Sequence, residues 1–151
     1  MSELNREPGK YPQLQLDNQL CFPLYAAARK VVNAYNPLLK PYGLTYTQYI
    51  VFLVLWEKDG IPVGELGKRL MLDSGTLSPL LKKMRQAGYI EKRQSAKDER
   101  SFLIFLTDKG RALQEQAREI PRKVGGCIAL TPEKAAQLYQ LLYELLGNEP
   151  S

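Results

Sequence analysis

The chain contains no histidine, and only two cysteines, Cys21 and Cys127, among its 151 residues. Both scarcities argue against a zinc-sensing site, because zinc is held by clustered cysteine and histidine ligands. No metal or other cofactor is expected. No apolar run approaches the roughly 20 residues needed to cross a bilayer. The opening MSELNREPGKYPQ also lacks the apolar core of a signal peptide. The expectation is therefore a cytoplasmic protein with no membrane partner. Internal repeats and low-complexity tracts are absent as well, which excludes solenoid architectures. With 44% hydrophobic and 25% charged residues, the chain has the composition of one globular domain with a sizeable core.

Positive charge is what the chain has in surplus, at +5 overall, and it is unevenly placed. Residues 74–100 hold seven cations (Lys82, Lys83, Arg85, Lys92, Arg93, Lys97, Arg100) against three anions (Glu91, Asp98, Glu99). That segment lies within residues 66–107, LGKRLMLDSGTLSPLLKKMRQAGYIEKRQSAKDERSFLIFLT, whose pattern is a short helix, a capped second helix and two strands joined by a charged loop. Leu77, Leu80, Leu81 and Met84 recur at helical spacing. Asp73 or Ser74 can cap that helix, Pro79 falls about one turn in, where a missing N–H should cost little, and Gly88 is placed to end it. Val63, Leu66, Leu70 and Leu72 suit the short supporting helix. Tyr89 to Arg93 alternates like a strand, Ser101 to Leu106 forms a second, and residues 94–100 are the tip between them. This is the element order of a winged helix-turn-helix.

The exposed face of the second helix carries Ser74, Thr76, Ser78, Pro79, Lys82, Lys83 and Gln86. Small residues there let a helix approach base edges, and lysines can meet phosphates. Alone, the helix reads equally well as an ordinary amphipathic helix with a solvated face. The localised charge of the neighbouring hairpin favours a phosphate-binding surface.

Helices flank this unit on both sides. Leu20, Leu24, Ala27, Ala28, Val31 and Tyr35 follow helical spacing, and Pro37, Pro41 and Gly43 are expected to terminate that helix. Thr45-Tyr46-Thr47 begins the next, which runs through Tyr49, Ile50, Leu53 and Val54 to about Lys58. Thr107-Asp108-Lys109-Gly110 leads into a long helix with Ala112, Leu113, Ala117, Ile120 and Val124, which Pro121 should bend. Thr131-Pro132-Glu133 opens the last, striped by Leu138, Leu141, Leu142 and Leu145. The fold class expected is mainly α with a small β wing. Residues 1–15 form a disordered or extended arm and 16–151 a single domain. Within it, about 60–107 read DNA, and about 16–45 and 108–147 are dimerisation helices. A two-fold dimer would cover the apolar surface of the terminal helices and set two reading helices in successive major grooves of a pseudo-palindromic double-stranded operator. The alternative is a monomer with a compact helical cap.

The element order, the wing pattern Asp98-Glu99-Arg100-Ser101 and the following Leu106-Thr107 resemble the MarR family of bacterial transcriptional regulators. Within that family, LDNQLCFPLY (residues 16–25), LTYTQY (44–49) and LDSGTLSPLLKKM (72–84) are similar to the organic-hydroperoxide-sensing repressors, the OhrR branch. The resemblance runs from about residue 16 to 146. It implies that Cys21 is the peroxide-reactive cysteine, although a free cysteine is more often a small buried hydrophobe. A thiolate is the form that attacks peroxide, and with no histidine available tyrosine hydroxyls can support it. Tyr35 and Tyr46 match the two family tyrosines that reach the cysteine of the partner subunit, and Tyr25 lies one turn beyond Cys21 on its own helix. Cys127 falls where the two-cysteine form keeps its resolving thiol. The implied sequence is oxidation of Cys21 by an organic hydroperoxide, condensation with Cys127 of the other subunit, and release of the operator.

One departure stands out. Pro23 occupies a position where the family has an ordinary helix former, so either the helix starts near Asn18 and is bent, or it starts near Leu20 and Pro23 sits harmlessly in its first turn. By the same resemblance Ser74, Thr76, Ser78, Pro79 and Lys83 face the major groove and Lys82 a phosphate or the helix flank. Arg100 enters the minor groove with Asp98 holding its guanidinium, and Arg93 and Lys97 meet phosphates. The competing function is a MarR-type repressor released by a small phenolic ligand held by Tyr25, Tyr35, Tyr46 and Trp56. A thiol peroxidase would leave the basic wing without a purpose, and an interaction module would not explain the localised charge. The chain is expected not to be an enzyme.

Overall fold

A computed structural model describes residues 9–149, beginning with two 3-10 turns, Pro12–Leu14 and Leu16–Asn18. The Asn18 side-chain amide donates to the Pro12 carbonyl at 2.8 Å, and that of Gln19 to the carbonyls of Gln13 and Gln15 at 2.7 and 2.9 Å. The second half of the arm expected to be disordered or extended is thus held by the amide side chains of Asn18 and Gln19, just beyond it. Its first eight residues lie outside the described range.

Helix α1, Cys21–Leu39, follows, then a 3-10 turn over Lys40–Tyr42 that Gly43 closes at φ +66°. Pro37 does not end α1, contrary to the sequence expectation. The helix continues for two residues because fully buried Leu39 anchors its last turn, and apolar burial offsets the hydrogen bond that proline forgoes. Helix α2, Tyr46–Glu57, opens with a capping box. In it the Gln48 backbone N–H donates to the Thr45 hydroxyl, and the Gln48 side chain accepts the Thr45 N–H.

The reading unit comprises β1 (Ile61–Pro62), α3 (Val63–Leu70), α4 (Ser74–Gln86), β2 (Ile90–Gln94) and β3 (Phe102–Leu106). The strands form one antiparallel sheet in the order β1-β3-β2, with Ile61 opposite Ile104 and Lys92 opposite Ile104 on its other side. Strand β1 escapes sequence reading because two residues ending in proline carry no periodicity. Phe52, Leu55, Leu66, Leu77, Met84 and Ile104 form the centre of the main core, so α2, α3, α4 and the sheet are locked together.

Helix α5, Asp108–Ala117, adds Leu113 to that core. The helix expected to bend at Pro121 is in fact interrupted: α6, Ile120–Gly125, starts anew with Pro121 in its first turn, where its absent N–H has no intrahelical partner. Ala117, Ile120 and Val124 join Leu39 and Tyr49 in a second, smaller core at the C-terminal end of α1. Of the stretches assigned to dimerisation, only Leu39 and the segment holding Leu113, Ala117, Ile120 and Val124 bury side chains within their own chain. Helix α7, Pro132–Leu146, differs, for none of its residues is buried. Its Leu138, Leu141 and Leu145 are 45–59% exposed. Together with Leu20, Leu24 and Ala27 of the α1 region they line an open apolar groove of about 650 Å³.

Candidate functional site

Helix α4 is built for presentation. Asp73 is the cap, its carboxylate accepting the Thr76 N–H at 2.7 Å. Leu77, Leu81 and Met84 are buried and Leu80 partly so, which leaves Ser74, Thr76, Ser78, Pro79, Lys82 and Lys83 exposed. Pro79 is the sixth helical residue, beyond the first turn, so it forfeits the bond to the Gly75 carbonyl rather than costing little as expected. The helix ends in a Schellman motif around Gly88 at φ +80°: the Tyr89 N–H reaches the Met84 carbonyl and the Gly88 N–H that of Arg85, both at 3.0 Å. That reversal sends the chain into the wing.

Strand alternation sorts the wing's cations. Ile90 and Lys92 face the α4 side, where the Lys92 ammonium lies 4.2 Å from the Phe102 ring centroid. Arg93 points to the opposite face, pairs with Glu91 at 2.8 Å and lies 4.5 Å from the Phe105 ring centroid. At the tip, Asp98 does not grip the Arg100 guanidinium as expected. Its two carboxylate oxygens accept the Arg100 backbone N–H at 2.9 Å and the Ser101 hydroxyl at 3.1 Å. A short acidic side chain readily closes such a turn on its own backbone, so Asp98 shapes the loop. Lys97 and Arg100 are exposed and make no ion pair among the described residues.

The thiol residues are divided between the two ends of α1. Cys21 is its first residue, exposed, with Pro23 third. The first intrahelical bond runs from the Leu24 N–H to the Leu20 carbonyl at 3.4 Å, so Pro23 removes no bond and the harmless alternative holds. Tyr25 stands one turn on, exposed, with the Arg29 guanidinium 5.2 Å from its ring centroid. At the far end Tyr35 and Tyr46 meet with ring centroids 5.0 Å apart, and Tyr49 packs 5.3 Å from Tyr35 and 6.3 Å from Tyr46.

Burial raises the pKa of all three tyrosines, that of Tyr49 to about 12, with like-charge repulsion from Tyr35 and Tyr46 adding to it. They are therefore protonated donors at neutral pH. Sequence reading missed Tyr49, whose only signal is its position one turn after Tyr46. Cys127 lies in the turn after α6, exposed, its N–H bonded to the Val124 carbonyl at 2.9 Å. Because Val124 sits in the small core with Leu39 and Tyr49, Cys127 belongs to the tyrosine end. Fourteen residues of helix separate Cys21 from Tyr35, about 21 Å at 1.5 Å per residue. Within one chain the structure does not bring Cys21 to Tyr35, Tyr46 or Cys127. Of the residues expected to hold a phenol, Tyr35, Tyr46 and Trp56 pack against the same small core, while Tyr25 is remote; Trp56 is stacked on Phe52 at 5.1 Å with its indole N–H donated to the Gly110 carbonyl at 3.0 Å.

A family profile described as transcriptional regulator SarA/Rot matches residues 33–117. The organic hydroperoxide resistance transcriptional regulator of Bacillus subtilis is 45% identical over 138 residues, spanning 91% of this chain and 94% of that protein. This chain belongs to the MarR family of transcriptional regulators. Membership sets it among regulators rather than enzymes. Among solved structures, reduced AbfR bound to DNA is 35% identical, covers 89% of this chain and 94% of its own, and superposes with a TM-score of 0.75. Disulfide-formed AbfR, at 36% identity and coverage of 89% and 94%, reaches 0.63. A further AbfR structure names Staphylococcus epidermidis as its source. Overoxidized AbfR bound to DNA reaches 0.74, so this MarR-family chain has the shape of the DNA-bound relatives more than of the bridged one.

Proposed function

We propose that the protein is a dimeric repressor that binds operator DNA when reduced and leaves it when an organic hydroperoxide oxidises Cys21. The carrying observation is the division of the thiol machinery along α1. Both sulfurs are free and exposed, yet the phenols and Cys127 stand at the end opposite Cys21. A two-fold partner whose α1 runs antiparallel brings Cys21 of one subunit to Tyr35, Tyr46 and Cys127 of the other. The same partner covers the apolar groove between α1 and α7.

The chemistry follows from those neighbours. The Cys21 thiolate attacks one peroxide oxygen, the O–O bond breaks, and an alcohol leaves as the sulfur becomes sulfenic acid. Tyrosine hydroxyls of the partner subunit donate hydrogen bonds to the sulfur. Cys127 then attacks that sulfur, expelling water as the S–S bond forms. Closing the bridge requires Cα atoms within about 7 Å, so helices that carry the two reading heads must shift if the reduced dimer holds them farther apart. The better fit to DNA-bound AbfR, reduced or overoxidized, than to disulfide-formed AbfR supports a bridge that reshapes the molecule.

On DNA, Ser74, Thr76, Ser78, Pro79 and Lys83 lie in the major groove and Lys82 meets the backbone. Arg100 enters the minor groove, where A·T-rich narrowing attracts arginine, and Lys97 follows the phosphates. Arg93, already paired with Glu91, is left a phosphate contact on the wing's outer face. A gel shift with the protein's own upstream DNA, before and after an organic hydroperoxide, tests the proposal beside non-reducing electrophoresis. Release should coincide with a covalent dimer, Cys127→Ser should abolish the covalent dimer, and Cys21→Ser should abolish the response. A Cys21→Ser variant that still leaves DNA on peroxide addition refutes the reading.

A further inference from the structure

Between α4 and β2 lies a small cleft of about 60 Å³. Its floor is apolar, made by Leu81, Ile90 and Ile104, all buried. Its rim carries Ser78, Lys82 and Arg85 from α4 and Lys92 from β2, and no acidic residue lines it. Arg85 and Lys92 stand outside the recognition surface considered so far.

Five arginines elsewhere are paired, while Arg29 and Arg100, like Arg85, reach no carboxylate among the described residues. Arg69, Arg93, Arg111, Arg118 and Arg122 each reach a carboxylate within 3.6 Å. Lys82, Arg85 and Lys92 make no ion pair among the described residues. Lys82, Arg85 and Lys92 thus set three exposed cations around one cleft, a charge pattern complementary to an external anion.

Duplex geometry supplies that anion. With α4 in the major groove and the wing tip in the adjacent minor groove, the sugar-phosphate strand dividing the two grooves must cross between helix and wing, over this cleft. The geometry points to a seat for a single backbone phosphate of double-stranded DNA, held jointly by Lys82, Arg85 and Lys92, with the Ser78 hydroxyl at its edge. The inference rests on the DNA-reading role proposed above, and it adds a contact that carries no base information. A phosphate held from both sides also fixes the angle between α4 and the wing, so base reading and minor-groove insertion are set together.

The test is the salt dependence of duplex binding by the full-length reduced protein. Each neutralised phosphate contributes about 0.9 to the slope of log affinity against log salt, roughly a 3.5-fold change in affinity for every fourfold change in salt. A shared seat means that the triple variant Lys82→Gln, Arg85→Gln, Lys92→Gln loses about 0.9 per half-site, and that the single variants lose less than this without adding up. Three separate contacts would cost about 2.7 per half-site and overturn the shared seat, as would no change at all. Arg118→Gln, Arg122→Gln and Lys123→Gln together remove the same three charges away from the cleft and control for net charge, and unchanged circular dichroism confirms folding of these exposed-site variants. Because phosphate contacts dominate non-specific affinity as well, a mixed-sequence duplex serves beside the operator. Loss of slope on both duplexes supports the seat even where the peroxide response fails, while a wild-type protein that binds no duplex overturns both readings.

Discussion

Replacing Asp98 by alanine separates two views of the wing. If Asp98 were merely a negative charge near DNA, its removal would strengthen binding at low salt and do little at high salt. The structure assigns it another task, because its carboxylate holds the Arg100 N–H at 2.9 Å and the Ser101 hydroxyl at 3.1 Å. Hydrogen bonds of this kind are worth about 0.5–1.5 kcal/mol each, so the two together bias the tip by roughly 1–2 kcal/mol. That corresponds to a factor of about 5–30 in the ordered population. Apparent affinity falls by the fraction of molecules in the competent shape. The gain from deleting one exposed charge is smaller, under about 1 kcal/mol at physiological salt.

Asp98→Ala should therefore weaken operator binding about fivefold or more, measured by fluorescence anisotropy at several salt concentrations. Arg100→Ala should weaken it at least as much while leaving the dimer intact. In the double variant, Asp98→Ala should add little, because its effect passes through Arg100. Asp98→Asn, which keeps a side-chain oxygen, should fall between wild type and Asp98→Ala. An Asp98→Ala protein that binds as tightly as wild type at every salt concentration refutes the bracing role.

Other consequences are structural. A Cβ at Gly110 would collide with the Tyr89 carbonyl oxygen and press on Leu106 Cδ2 at 3.2 Å, so Gly110→Ala should cost about 3 kcal/mol. In thermal unfolding that appears as a Tm loss of roughly 6–12 °C, and an unchanged Tm would disprove the close approach of α5 to the wing. Pro79→Ala should restore the bond to the Gly75 carbonyl and stabilise the fold by about 1–3 kcal/mol in urea titrations, and a loss of stability would contradict the assigned register.

Because folding raises the Tyr49 pKa from 10.0 to about 12, the folded state holds its phenol proton more tightly than the unfolded chain. That stabilisation is complete below about pH 10 and disappears as pH rises toward about 12. The urea midpoint should decline over that window, and decline less in Tyr49→Phe. Equal slopes would remove the tyrosine cluster as the cause.

Much of this was legible in the sequence because local signals and burial agreed. Leu77, Leu81 and Met84 fell on the core side of α4, Gly88 ended it, and the charged run 94–100 became the tip, each through short-range patterning that tertiary packing left intact. Proline was where the reading failed. The ring alone does not decide what Pro37, Pro79 and Pro121 do: burial of Leu39 decides the first, and where the helix starts decides the other two. Pro37 is overridden by Leu39, and Pro121 splits a helix where bending was expected. The role of Asp98 was misjudged because side-chain and backbone acceptance look identical in a string of letters. The facing of Arg93 and Lys92 follows from strand register, which the hairpin's alternation contained. Tyr49 was invisible as part of the phenol cluster because α1 and α2 meet only in three dimensions.

The distance between Cys21 and the far end of its own helix has a genetic consequence. On the proposed exchange between subunits, a chain lacking Cys21 and a chain lacking Cys127 each close no disulfide as pure species. Co-expressed, they form a mixed pair in which the surviving Cys21 of one faces the surviving Cys127 of the other, so one bridge can close and inducibility partly returns. A chain stripped of both sulfurs, mixed with wild type, yields pairs with no bridge at all and behaves as a dominant, uninducible repressor.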